Sequence, residues 1–239
     1  FRLKIISFFF FLFSVFSFSQ DSLEQVSPEK FQNQILRSER LKKIAADSSR
    51  SKEQREFANA AVLYYSGKFD EASKQYESLL TQNDSLAGNI LLRLAEIHLQ
   101  SKNFTELRKT LFRAGNFLTT ASWERKALYL RTKASLLDST LSESDKVDST
   151  ALFLNHFPKS SEATEIRFQY AKYSEAIGNK KQAKKAYLRV LAAGYNPEDS
   201  TFNAVRRLRT DSEEEIVEEK WAYTQIVCKN GKPEECLSL

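Results

Sequence analysis

Gly67-Lys68-Phe69-Asp70-Glu71-Ala72-Ser73-Lys74-Gln75-Tyr76 decides how this 239-residue chain is to be read. The same pattern, Gly-x-x-x-x-Ala-x-x-x-Tyr, returns at Gly178, Ala183 and Tyr187. The two glycines lie 111 positions apart, close to three periods of a two-helix repeat of about 34–40 residues. Four-residue spacing puts each Ala and Tyr on one face of a helix. Ala72 and Ala183 then mark close helix approaches that admit only a small side chain, and Tyr76 and Tyr187 fill the groove to the neighbouring unit. Helical units of this size stack into solenoids with extended concave surfaces, so the expected fold is all-α and the expected role is binding.

Working outward, four hairpins can be laid out. The first spans about residues 52–83, after Ser51-x-x-Gln54, which has the spacing of a capping box. Phe57, Ala60, Ala61 and Tyr64 stripe its first helix, and Ala72, Tyr76, Leu79 and Leu80 its second. The second, residues 87–117, carries Leu91, Leu94, Ala95 and His98, then Phe104, Leu107, Leu111 and Ala114. The third opens at Trp123 with Ala127, Leu130, Ala134 and Leu137 on one side. Its turn is stretched over residues 138–143, and Ser142-x-x-Asp145 begins a helix ending at His156-Phe157-Pro158. The fourth covers residues 161–193. Asn196-Pro197 then starts a short helix with Phe202, Val205 and Leu208, and Ser212-x-x-Glu215 starts another with Ile216, Trp221 and Ile226. Gly231 and Cys236 stand five apart like Gly67 and Ala72, which reads as a further hairpin cut short.

These positions resemble the tetratricopeptide repeat. Ala60, Gly67, Phe69, Ala72 and Tyr76 match its pattern in the first unit, and Ala171, Gly178, Ala183 and Tyr187 in the fourth, where Lys180 replaces the turn aromatic. The second unit has Lys102 for Gly and Leu107 for Ala, and the third lacks the turn glycine. The resemblance implies a right-handed α-solenoid over residues 52–239. The joint Leu154-Asn155-His156-Phe157-Pro158-Lys159-Ser160 is similar to joints in bacterial envelope members of this group. Those are outer-membrane assembly factors, periplasmic division coordinators and the superhelical region of soluble lytic transglycosylases. Against the first stands the lack of a Cys near residue 20; against the second, the short lead-in of residues 20–51. The third implies a peptidoglycan-cleaving domain beyond Leu239.

That lead-in has Ser27-Pro28 as a helix start and a thin stripe of Phe31, Ile35, Leu36, Leu41 and Ile44, broken at residues 47–51. Before it, Arg2 and Lys4 precede the apolar stretch from Ile5 to Phe18, and Ser17 and Ser19 offer small residues to a peptidase. Residues 1–19 read as a secretory signal cleaved after Ser19. The apolar stretch falls short of the roughly 20 residues that span a bilayer, so no membrane span is expected after cleavage. The expected location is the periplasm of a diderm bacterium. With no Met, a start at Phe1 and an end at Leu239 where the pattern opens a new helix, the sequence reads as part of a longer chain.

Six Gly and four Pro in 239 residues suit helices. Arg2 and Lys4 leave with the signal, so the net charge of +5 falls to +3. The Lys and Arg alternate with Glu and Asp instead of clustering, which disfavours nucleic acid. Cys228 and Cys236 flank an Asn-Gly-Lys-Pro turn; a disulfide across it and two small apolar residues in a helix interface are both open readings.

No catalytic residue, metal site or cofactor is expected. His98 takes the place of a packing aromatic, His156 ends a helix, and Gly67-Lys68 lacks the further glycines of a phosphate loop. Glu143-Ser144 echoes a transglycosylase pair without its motif. The acidic run Glu213, Glu214, Glu215, Glu218 and Glu219 suits a helix N-terminus or a docking face for a basic partner. The family's groove positions fall on Tyr64, Tyr65, Glu96, Gln100, Arg131, Lys172 and Glu175. Their aromatic and charged mixture fits a protein or peptide partner, peptidoglycan-associated proteins included.

Overall fold

Local capping chemistry decides where most of the helices begin. A computed structural model describes residues 28–81, 86–193, 201, 204 and 208, with side chains from Leu36 onward. Among these residues the fold is all-α: α1 (Pro28–Ala46), α2 (Lys52–Tyr65), α3 (Phe69–Leu80), α4 (Ala87–Gln100), α5 (Phe104–Ala114), α6 (Ala121–Leu137), α7 (Glu143–His156), α8 (Ser161–Ala176) and α9 (Lys180–Ala192). The signal, the acidic run, Cys228, Cys236, the Asn196-Pro197 start, Phe202, Val205 and the hairpin at Gly231 lie outside the described residues.

The chain breaks between α1 and α2 because the Asp47 carboxylate accepts from both the amide and the hydroxyl of Ser49. Ser51 then caps α2, accepting from the Gln54 amide at 3.3 Å. Ser142 and Asp145 form a complete reciprocal box at the start of α7. Thr120, Ser160 and Asn179 cap α6, α8 and α9 through their side chains in the same manner.

Three of the helix ends share one backbone solution. After α2, the Gly67 and Lys68 amides donate to the Tyr64 and Leu63 carbonyls; after α4, Lys102 and Asn103 donate to Leu99 and His98; after α8, Gly178 and Asn179 donate to Glu175 and Ser174. This is a Schellman closure, which needs a left-handed residue just past the helix. Gly67 (φ 75) and Gly178 (φ 81) meet that need freely, and Lys102 (φ 55) meets it with strain. Lys102→Gly is therefore expected to raise the unfolding free energy by up to about 1 kcal/mol, the relief of strain exceeding the extra chain entropy of glycine. Gly178→Ala should shift stability the opposite way; urea melts of both variants check the signs.

The third hairpin turns differently. Asp138, 3% exposed, accepts from the Thr140 amide and hydroxyl and from Arg108 of α5 at 2.8 Å. Arg108 first and then Thr140 hold its carboxyl down at about 2. An unfolded Asp titrates near 3.9. The folded value is the lower one, so this stabilisation is fully present above the unfolded value and disappears as pH falls from about 4 to about 2. We expect about 1–2 kcal/mol, since Arg108 is partly exposed, to be lost in that window, and Asp138→Asn to flatten that part of the acid-unfolding curve.

Each helix packs on its sequence neighbour, and α6 also packs on α4 and on α8. Short turns force such antiparallel neighbours. Ala60, Ala72, Tyr76, Leu79, Leu91 and Leu94 share one buried cluster, and Leu107, Leu111, Leu130, Phe153 and Ile166 another. Ala171, Ala183 and Tyr187 share a third, which Ala204 and Leu208 join.

Three expectations need correction. α4 buries more than the Leu91, Leu94 and Ala95 read from its sequence: Ile90, Leu92, Ile97 and Leu99 are buried with them, because the helix lies between two clusters. Leu137 is 45% exposed and Leu136 is buried in its place. Leu36 is 53% exposed, so it does not belong to the apolar face of α1.

Candidate functional site

The C-terminal end of α2, the body of α4 and the N-terminal end of α6 converge on a cleft of about 410 Å³, reached also by Arg37 of α1 and Glu162 of α8. α2 supplies Tyr64 and Tyr65, whose rings meet edge to face at 5.2 Å. From α4, Arg93 lays its guanidinium 5.7 Å from the Tyr64 ring and 5.8 Å from the Tyr65 ring. A guanidinium over two aromatic faces is attracted by their quadrupoles, more strongly where water is excluded.

Glu96 organises the charges. It is 8% exposed, and its carboxylate accepts from Arg93 at 2.7 Å and Lys126 of α6 at 2.6 Å. Burial works against the charged Arg93, but Glu96 outweighs it and holds the guanidinium above its ordinary value. Burial raises the Tyr64 phenol, with Glu96 adding to the effect. Lys126 also lies 5.2 Å over the Tyr129 ring. At the far side Arg125 meets Glu162 at 3.3 Å. Partial burial would raise the Glu162 carboxyl, but its own backbone amide, Ser161 and Arg125 bring it below its usual value.

Trp123 completes the lining. Its position depends on Gly88, where a Cβ would stand 2.7 Å from the indole Cζ3 and 2.9 Å from the Phe117 carbonyl oxygen. Only a glycine lets the chain before α6 close this tightly on α4.

Of the seven groove residues read from sequence, the cleft brings together Tyr64, Tyr65 and Glu96. Gln100 and Arg131 are exposed outside it. The Lys172 ammonium lies 5.8 Å over the Phe168 ring, and Glu175 accepts from the Tyr187 hydroxyl at 2.9 Å. Arg93, Trp123, Arg125 and Lys126 were missed. The Arg93–Glu96 spacing of three residues was a readable signal for a paired charge on one helix face.

The histidines do not meet. His98 is half-buried, and desolvation lowers it against the pull of Glu106 and Glu77. The His156 Nδ1 lies 2.9 Å from the Leu152 carbonyl oxygen. The Ser144 hydroxyl faces Asp148 on its own helix. Among the described residues there is no cluster of three or more metal-ligating side chains, and no helix is long and apolar enough to cross a membrane. The described residues thus form an all-α array of serially packed helices with an aromatic, cation-rich cleft. Comparison with family models, with curated proteins and with solved structures finds no match.

Proposed function

We propose that this chain is an exported, non-catalytic scaffold, a right-handed solenoid of tetratricopeptide-like hairpins that binds a protein or peptide segment in a bacterial envelope. The cleft between α2, α4 and α6 carries this reading: Tyr64, Tyr65 and Trp123 offer anchoring surfaces beside Arg37, Arg93, Arg125 and Lys126, against Glu96 and Glu162. Four cations to two carboxylates favour a partner segment with acidic groups, and clustered aromatic and Arg side chains are what peptide-binding surfaces concentrate. The serial architecture is supported by packing of each helix on its neighbour, with α6 reaching both α4 and α8. It is supported too by the recurrent closures at Gly67, Lys102 and Gly178.

The test compares recovery of envelope proteins by the wild-type chain, by Tyr65→Ala/Lys126→Ala and by Lys172→Ala, followed by titration of the recovered partner. The cleft variant should weaken binding about tenfold or more, and Lys172→Ala should not. Equal affinity for all three chains would reject the cleft. Export is checked by sequencing the amino terminus of the periplasmic protein: Gln20 is expected first, and a chain still carrying Ile5 to Phe18 would overturn it.

A further inference from the structure

We propose that the groove between α7 and α9 docks an acidic, amphipathic helical segment of a partner protein, on a surface separate from the cleft. This groove encloses about 170 Å³ and shares no lining residue with the cleft. Its shape follows from helical spacing. Val147, Ala151 and Leu154 lie four and then three residues apart on α7, and Gln182, Lys185, Ala186 and Arg189 run seven residues along α9. Seven residues rise about 10 Å, so the apolar strip can seat two turns of a helix laid along it.

Charge supplies the second half of the argument. Arg167, Lys185 and Arg189 border the groove, and no Asp or Glu is among its described lining residues. Some partly buried cations outside the groove face carboxylates: Arg93 and Lys126 face Glu96, and Lys133 faces Glu165. Arg167 instead donates to the Pro158 carbonyl at 3.1 Å. Burial first, and then the like charge of Arg189, make its guanidinium harder to protonate than usual. A segment that brings carboxylates on either side of an apolar stripe would relieve this crowding and cover Val147, which is 37% exposed. A free phosphate would leave the apolar strip uncovered, and a flat lipid surface would not enter a groove lying between two helices.

The probe is a synthetic helical peptide with Leu at three- and four-residue steps flanked by Glu, titrated into the full chain beside a twin carrying Lys for Glu. The Glu peptide should bind and its twin should not. Arg189→Glu, at an exposed position that leaves helicity intact by circular dichroism, should weaken binding at least about tenfold. Arg131→Glu, the same charge change outside both sites, should leave it unaltered. Equal binding of the Glu peptide to wild type and Arg189→Glu would overturn the proposal. So would Arg189-dependent binding to vesicles of anionic phospholipid without peptide binding, which would make the groove a membrane surface. Arg189-dependent self-association blocked by a peptide of residues 211–226 would assign the groove to a second copy of this chain and overturn it equally.

Discussion

Truncating Phe153 to alanine is expected to lower the unfolding free energy by about 3–5 kcal/mol, the usual range for a fully buried aromatic. Its side chain is 0% exposed, with ring centroids 6.2 Å from Tyr129 and 5.7 Å from Phe157. The value should fall in the upper half of that range because α7 has little else to hold it. Its other buried residues are Lys146 and Thr150. Lys146 lies 4.6 Å over the Tyr173 ring, and Thr150 returns its hydroxyl to the carbonyl of Lys146 on its own helix. The cavity would open among Leu130, Ala134, Ala163 and Ile166 of the same cluster, where helices on several sides resist collapse. Urea unfolding gives the number, and Leu152→Ala, at a position 45% exposed, is the control. A Phe153→Ala loss below about 1.5 kcal/mol would mean that α7 is held by something other than this ring.

Glu96→Ala is expected to cost about 2–3 kcal/mol. Removing one member of a buried ion pair costs about 3–5 kcal/mol when the remaining charge stays desolvated. Here the Arg93 and Lys126 side chains are 33% and 37% exposed, so water recovers part of that. Arg93 is the more confined of the two, being held over both tyrosine rings. The cost therefore comes chiefly from leaving its guanidinium unpaired, and the double variant Glu96→Ala/Arg93→Met should regain at least half of it. Failure of the second substitution to restore stability would show that the loss lies in packing. Glu96 thus positions the two cations that line the cleft beside it.

Helix limits were legible because capping is a short-range exchange between one side chain and an amide three residues on. Pro28, Ser51 and the Ser142–Asp145 pair stand where their spacing placed them. The small and aromatic positions Ala72, Tyr76, Ala183 and Tyr187 were legible for a related reason, since period alone puts them on the packed face, and all four are buried. The stripe of α6 was misjudged at its end. That helix packs against α4, α5, α7 and α8, and an element surrounded on several sides buries a wider arc than any single stripe. Lys102 was recognisable as the residue in a glycine position, but only backbone geometry shows that it adopts the glycine conformation.

The cleft was half legible. Tyr64 and Tyr65 could be placed because they close the first helix of their hairpin, whereas Lys126 and Trp123 belong to a different hairpin and meet them only through the stacking of α2, α4 and α6. A charged residue in a helical sequence looks the same whether it faces water or a carboxylate on another helix. By itself, then, the sequence determined the helical character of the described residues, their turns and the small and aromatic packing positions, since these depend on contacts within a few residues. Tertiary structure alone decided that Glu96 is buried beneath two cations, that Asp138 ties α5 to the turn after α6, and that Arg167 and Arg189 border one groove. Those arrangements depend on side chains brought together across helices, and no local period records them.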